Sequence, residues 1–252
     1  MAEPSVPQQT IREPVEVAGT ALHAGVPSRM RCLPADPGRG IVFRRVDAPG
    51  APEIPARVDR VVSVERGTAL GANGAQVHTV EHVLAAVAAA GIDNLVIELD
   101  APEPPALDGS AAPLFELLVR AGVRAQDAAA RVWSPKEPCT VTEGAARYAV
   151  LPGERYVVSA VIEFEHPLIR RQFASHPIEP ETFRREIAPA RTFGFLKDAE
   201  ALRRMGLAKG ANTENTIVLT ADGILDDVPL RFSDEFVRHK ILDLVGDLAL
   251  VG

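Results

Sequence analysis

Two short stretches hold the residue types and spacings that could do chemistry. In the first, His78-Thr79-Val80-Glu81-His82, the H-x-x-E-H order matches inverted zinc peptidases, where both histidines ligate the metal and the glutamate is the base. In the second, His239, Asp243 and Asp247 recur every fourth residue. At about 100° per residue they share one face of a helix, and Val237, Ile241, Leu244, Val245 and Leu248 form a core stripe on the other. Histidine at i and aspartate at i+4 set an imidazole beside a carboxylate, as two ligands of one metal require. Asp247, a turn further on, could orient a ligand from behind. The same pattern also describes a solvated polar face, and spacing alone does not choose between them.

A catalytic zinc usually takes three protein ligands and keeps one position open. His82 is the best third candidate among the six histidines. It lies in an apolar stretch beside Glu81, a carboxylate costly to bury without a partner. Next to a water acidified by a metal, Glu81 would serve as general base. A buried, mutually satisfied Glu81–His82 pair is the alternative. Thr79 reads as an N-cap and Gly91 as a stop, predicting a helix over 80 to 90. His78 then precedes the first turn and shares no face with His82, which weakens the peptidase reading.

The elements that must position these residues are legible in outline. Short strands broken by Pro and Gly fill the first third: "IREPVEV", "SRMRCL", "GIVFRRV" and "ARVDRVVSV". After the His82 helix come a buried strand, "NLVIELD", a turn-rich connection, and a helix, "SAAPLFELLVRAG", capped by Ser110 and closed by Gly122. A polar linker is expected over 124 to 137. Strands then resume with "CTVTEG", "ARYAVL" and "RYVVSAVIEF", and a helix carries His239 near the end. Each half therefore runs strands first and a histidine-bearing helix afterwards, which suggests two related α+β domains.

Composition narrows the function. The net charge of −7 argues against a nucleic-acid partner held by bulk attraction to phosphates, while leaving room for a local basic cluster. Two distant cysteines, Cys32 and Cys139, make neither a disulfide framework nor a thiolate zinc site and suit a reducing compartment. The N-terminal "MAEPSVPQQT" lacks the basic flank and apolar run of a secretory signal. The longest apolar run, "VLAAVAAAGI", falls short of the roughly 20 residues that span a bilayer. The expectation is a soluble, cytoplasmic protein without a transmembrane segment.

Six stretches, in order along nearly the whole chain, carry a resemblance: "GTALHAG", "TVEHVLAAVAAAGIDNLVIEL", "PALDGSAAP", "EFEHP", "ARTFGFLKD" and "FSDEFVRHKILDLVGDL". Together they resemble the bacterial UDP-3-O-acyl-N-acetylglucosamine deacetylases, which commit precursors to lipid A. The resemblance implies an α+β fold of two topologically similar domains in a β-α-α-β sandwich, with the active site in the cleft between them. The domains would span 1–126, carrying Glu81 and His82, and 127–252, carrying His239 and Asp243. It also implies zinc on His82, His239 and Asp243, Glu81 as base, Thr192 helping to hold the oxyanion, and Asp247 as an acidic neighbour. Lys240 would lie near the diphosphate and the reaction centre, Phe164 at the uridine end, and His23 near the substrate. An insert at about 194–224 would form an acyl passage, with Phe193, Phe195, Leu202, Met205 and Leu207 as candidates. The implied partner is a UDP-sugar lipid acted on by a monomer. "LDGSA" is read as structural: a turn at Asp108-Gly109 and a cap at Ser110.

Two features depart from the family pattern. The family's Gly-His pair beyond the last helix has no counterpart before Gly252, so the expectation is a C-terminally truncated chain lacking its final strand and helix, with impaired turnover. The insert reads Gly210-Ala211 where the family usually has Gly-Gly. A non-catalytic remnant that binds zinc or nucleotide therefore stands as an alternative to the deacetylase, and a peptidase using His78 and His82 as a weaker one.

Overall fold

The computed structural model describes residues 6–252. It is a mixed α+β structure with several sheets and few helices. The first elements are β1 (Pro7–Ile11), β2 (Val15–Thr20), β3 (Pro27–Pro34), β4 (Ile41–Arg45), β5 (Glu53–Pro55), β6 (Val61–Ser63), β7 (Ala69–Ala72) and β8 (Ala75–Val77). Next come α1 (Glu81–Ala89), β9 (Leu95–Leu99), α2 (Ala112–Ala121) and β10 (Val123–Ala129). The five-stranded sheet runs β2-β3-β9-β4-β5, with β9 parallel to β4 and the other pairs antiparallel. The strands β6, β7 and β8 form a separate three-stranded meander.

The later elements are β11 (Cys139–Glu143), β12 (Ala146–Val150), β13 (Val157–Phe164) and β14 (Arg170–Pro177). They are followed by α3 (Pro180–Thr182) running into a π-helical turn at Phe183–Ile187, then β15 (Phe193–Phe195), α4 (Ala199–Arg204), β16 (Ile217–Leu219) and α5 (Glu235–Leu248). Two hairpins, β11-β12 and β13-β14, precede a parallel pair, β15-β16. The β13-β14 hairpin lies against α5. Among the described residues no helix is long and apolar enough to cross a membrane.

Helix α1 has an apolar surface nearly all round, and every residue except Ala88 is buried, as expected of a helix inside a core rather than on its rim. It packs along α5. The close approach depends on Gly246: a Cβ there would run into the backbone carbonyl of Glu81. Phe43, Leu84, Leu95, Ile97 and Phe115 on one side and Val237, Ile241 and Val245 on the other belong to one continuous core around the two helices.

Several expectations need correction. Thr79 does not cap α1. The position before the helix is Val80, without a side-chain cap bond, and Thr79 sits at φ +56 with its hydroxyl donated to Glu103 Oε1 at 2.6 Å. A buried carboxylate competed for that hydroxyl and won. The polar stretch expected as a linker runs as β10 as far as Ala129, because β1 offers it an antiparallel partner more than a hundred residues earlier. In α5, Leu248 is exposed although it falls on the core stripe, while Phe236 and Leu242 are buried outside it. The opposite face is buried at its start and open at its end: His239 is only 2 % exposed, because α1 covers it, while Asp247 is exposed. Ser110 lies one residue before the Ala111 cap position of α2, yet its hydroxyl still accepts the Ala112 amide at 3.2 Å, and Gly122 closes the helix at φ +69.

Candidate active site

The packing of α1 on α5 brings His82, His239 and Asp243 together, their potential ligand atoms all within 4.8 Å of one another. Asp243 Oδ1 lies 3.5 Å from His82 Nε2 and 3.3 Å from His239 Nε2. The imidazole rings meet edge to face, centroids 5.0 Å apart. Ligands at tetrahedral zinc, with bonds of about 2.1 Å, stand about 3.4 Å from one another, so the two Asp–His separations already suit one small cation.

Hydrogen bonding points the same way. His239 Nδ1 faces the carbonyl of Ala190 at 3.1 Å, so Nδ1 carries the proton and donates it, leaving the Nε2 lone pair toward Asp243. Lys240 Nζ donates to Asp243 Oδ2 at 2.7 Å. Asp243 Oδ1, however, is buried with no hydrogen-bond partner among the described residues. A sealed carboxylate oxygen facing imidazole nitrogens is costly unless a cation lies among them. The residues present therefore fit a divalent metal, and His78 joins no such cluster among the described residues.

The electrostatics are those of a desolvated site. Burial would raise the Asp243 carboxyl, but His239, Lys240 and His82 around it hold it well below the usual range. Burial drives His239 down to about 4 and so keeps it neutral, as a ligand must be. At His82 burial acts in the same direction, but the adjacent Asp243 outweighs it and the pKa is raised. Glu81, 7 % exposed at the start of α1, is pushed up to about 7 by burial. A carboxylate poised there can take and return a proton near neutral pH.

Around this cluster the structure distributes the other expected residues. Thr192 is fixed by its backbone, its amide donating to Gly109 at 2.8 Å and its carbonyl accepting from Ile217 at 2.9 Å, while its hydroxyl makes no hydrogen bond among the described residues. Gly109 explains "LDGSA": it sits at φ +78 where any Cβ would run into the Asn215 carbonyl, so the turn can lie directly against the Thr192 segment. Phe164 packs on both Phe193 and Phe195 with centroids 5.8 Å apart. Phe193 continues inward to His239 at 6.3 Å, and Lys240 Nζ stands 5.6 Å from its ring. His23 ties the "ALHAG" turn to the segment at Ala208 and Lys209. Its Nδ1 accepts the Ala208 amide at 3.2 Å and its carbonyl accepts the Lys209 amide at 3.1 Å. A cavity of about 220 Å³ adjoins this contact, lined by His23, His78, Thr79, Glu103 and Leu207 among others. Met205 is exposed.

Several residues that shape the site left no mark in the motif reading. Buried Glu103 accepts the amides of His23 and Ala24 as well as the Thr79 hydroxyl. Buried Glu235 clamps Arg191 through its amide and guanidinium, 2.8 Å at the shortest, and so anchors the segment carrying the Ala190 carbonyl and Thr192 to the start of α5. Thr68 bonds both Glu81 and Asp247. Asp247 accordingly faces Thr68 and makes no hydrogen bond to a histidine among the described residues. Glu235 lies inside a quoted motif and could have been found there; Thr68 follows Arg66-Gly67 in a turn with no periodicity to flag it.

A buried His–His–Asp cluster with a desolvated glutamate beside it is the arrangement of a metal-dependent hydrolase. Comparison with known proteins makes the class specific. The family model for UDP-3-O-acyl N-acetylglycosamine deacetylase matches residues 8–252. A protein of Geotalea uraniireducens named UDP-3-O-acyl-N-acetylglucosamine deacetylase is 44% identical over 97% of this chain and 80% of its own length. Proteins of the same name from Myxococcus xanthus (44% identical, 100% of this chain and 80% of the relative) and Brucella melitensis biotype 2 (44%, 97% and 86%) are similarly close. The chain belongs to the UDP-3-O-acyl-N-acetylglucosamine deacetylase family.

Proposed function

We propose that this chain hydrolyses the N-acetyl group of UDP-3-O-acyl-N-acetylglucosamine, giving acetate and the free amine at the deacetylation step of lipid A biosynthesis, with zinc held by His82, His239 and Asp243. The observation that carries the reading is the buried, unpartnered Asp243 Oδ1 between two imidazole Nε2 atoms. Zinc in that position would lower the pKa of a water and polarise the amide carbonyl. Glu81 takes the proton of the attacking water and can return it to the leaving nitrogen. The free Thr192 hydroxyl is available to donate to the oxyanion as the carbonyl carbon becomes tetrahedral. Lys240 holds Asp243 and adds positive charge where negative charge develops.

For the substrate we assign Phe164 to packing near the uridine end and the insert at about 194–224, with Phe193 and Phe195 packed on Phe164, to the acyl chain. His23, which joins the insert to the first half, orders that passage. What supports two related α+β halves is the matched placement of α1 and α5, each carrying ligand candidates and packed on the other, although β10, paired with β1, carries the first half past 126/127 to Ala129. The proposed setting is a cytoplasmic monomer, in keeping with two free cysteines.

The test is acetate release from the acetylated UDP-sugar by the purified protein, with and without added zinc and after chelation. Zinc-dependent release that Glu81→Gln abolishes is expected. Undiminished release by the fully chelated protein would overturn the metal role.

A further inference from the structure

Thr68 occupies a junction that the proposed chemistry leaves unassigned. It is buried at the end of a tight turn, immediately before β7. Its amide donates to Glu81 Oε2 at 2.9 Å, its carbonyl accepts the Val80 amide at 3.2 Å, and its hydroxyl donates to Asp247 Oδ1 at 2.6 Å. The backbone of one residue thus grips both the Glu81 carboxylate and the first turn of α1, while its side chain is moored to α5. A hydroxyl donated to a carboxylate at that distance is a strong, directional tether.

Glu81 Oε2 is taken by the Thr68 amide, whereas Oε1 receives no hydrogen bond among the described residues. One oxygen is held and the other is left to accept a proton. A glutamate side chain has several torsions, and a single amide on one oxygen fixes where the second points only if that amide is itself fixed. The turn before Thr68 cannot supply this alone, since Glu65 and Arg66 are exposed. The Val80 amide on the Thr68 carbonyl holds one side of the residue, and Asp247, carried by the backbone of α5 179 residues away, holds the other.

We infer that Thr68 is the positioning residue for the general base: Asp247 anchors the Thr68 hydroxyl, which sets the Thr68 amide, which aims Glu81. Asp247 therefore acts through Thr68. This rests on the deacetylase reading with Glu81 as base.

Thr68→Val keeps the β-branched shape and the amide but removes the tether, and Thr68→Ser restores it. Misplacing a catalytic group by about 1 Å costs on the order of 100-fold in rate. In zinc-loaded protein Thr68→Val is expected to lose about 10- to 100-fold in kcat, with KM for the acetylated UDP-sugar, zinc content and Tm close to wild type. Thr68→Ser is expected to recover most of that loss. Combining Thr68→Val with Asp247→Ala should cost no more than Asp247→Ala alone, as for residues acting in series. A wild-type kcat in Thr68→Val, equal impairment in Thr68→Ser, or additive losses in the double variant would each overturn the inference. If Thr68→Val does not fold, Asp247→Asn replaces it, read by the Thr68 amide proton resonance. A shift supports the tether and an unmoved resonance overturns it. Glu81→Gln in the same assay separates the two levels. If Glu81→Gln is inactive while Thr68→Val is unimpaired, only the positioning role fails; if Glu81→Gln is as active as wild type, the base assignment fails and the inference with it.

Discussion

At the residue scale the site is a problem of unmet valence. Asp243 has one oxygen on Lys240 and one on nothing, and His239 turns its lone pair inward because Ala190 takes its Nδ1 proton. These are conditions a divalent cation relieves. His82→Ala and Asp243→Ala are therefore expected to strip the metal, whereas His78→Ala keeps it; metal content of the three purified variants by emission spectrometry checks this. Retention of full metal by His82→Ala would sink the ligand assignment. His78 was separable from the cluster in the sequence because it precedes the helix. The true conformation of Thr79 was not, since φ +56 at a β-branched residue is unfavourable in isolation and is held here by Glu103.

At the scale of elements the site is the line where α1 crosses α5. Gly246→Ala would push the helices apart against the Glu81 carbonyl. Overpacking of this kind costs about 1–3 kcal/mol, and here it would also spread His82 from Asp243. A lower urea midpoint together with weaker metal binding is expected, and unchanged stability would show that the helices can separate freely. Glu235→Ala would leave Arg191 buried without its carboxylate. Breaking a buried pair in this way costs about 3–5 kcal/mol, again measurable by urea unfolding. The sequence places α1 by its Ala-, Leu- and Val-rich run closed by Gly91, and α5 by its apolar periodicity. The strand β10 could not, because polar residues 124 to 129 extend only once β1 supplies the ladder.

At the scale of the molecule a bound metal would join residues more than 150 positions apart, so its binding energy becomes folding energy. A ligand at about 1,000 times its Kd adds about 4 kcal/mol to stability. Chelation is therefore expected to lower Tm in the wild type and to leave Tm unmoved in His82→Ala, as differential scanning fluorimetry would show. An equal drop in both would place the stabilising metal elsewhere. His23 and Glu103, which fasten the insert and the "ALHAG" turn to the first half, lie outside this linkage.

The sequence by itself determined the chemical inventory. A histidine and an aspartate at helical spacing, a second histidine beside a glutamate, and long ordered motifs pointed to the donor set, the family and the main helices, because these depend on residue type and local pattern. Only the tertiary structure decided which carboxylate oxygen is left bare, which histidine nitrogen faces inward, and that Thr68 stands between Glu81 and Asp247. The bonds that set the last two join residues 13, 49 and 179 positions apart, and the bare oxygen is defined by what α1 brings beside it. A local pattern cannot report such bonds, since the buried partner that satisfies a polar atom, or leaves it unsatisfied, is chosen only when the core closes.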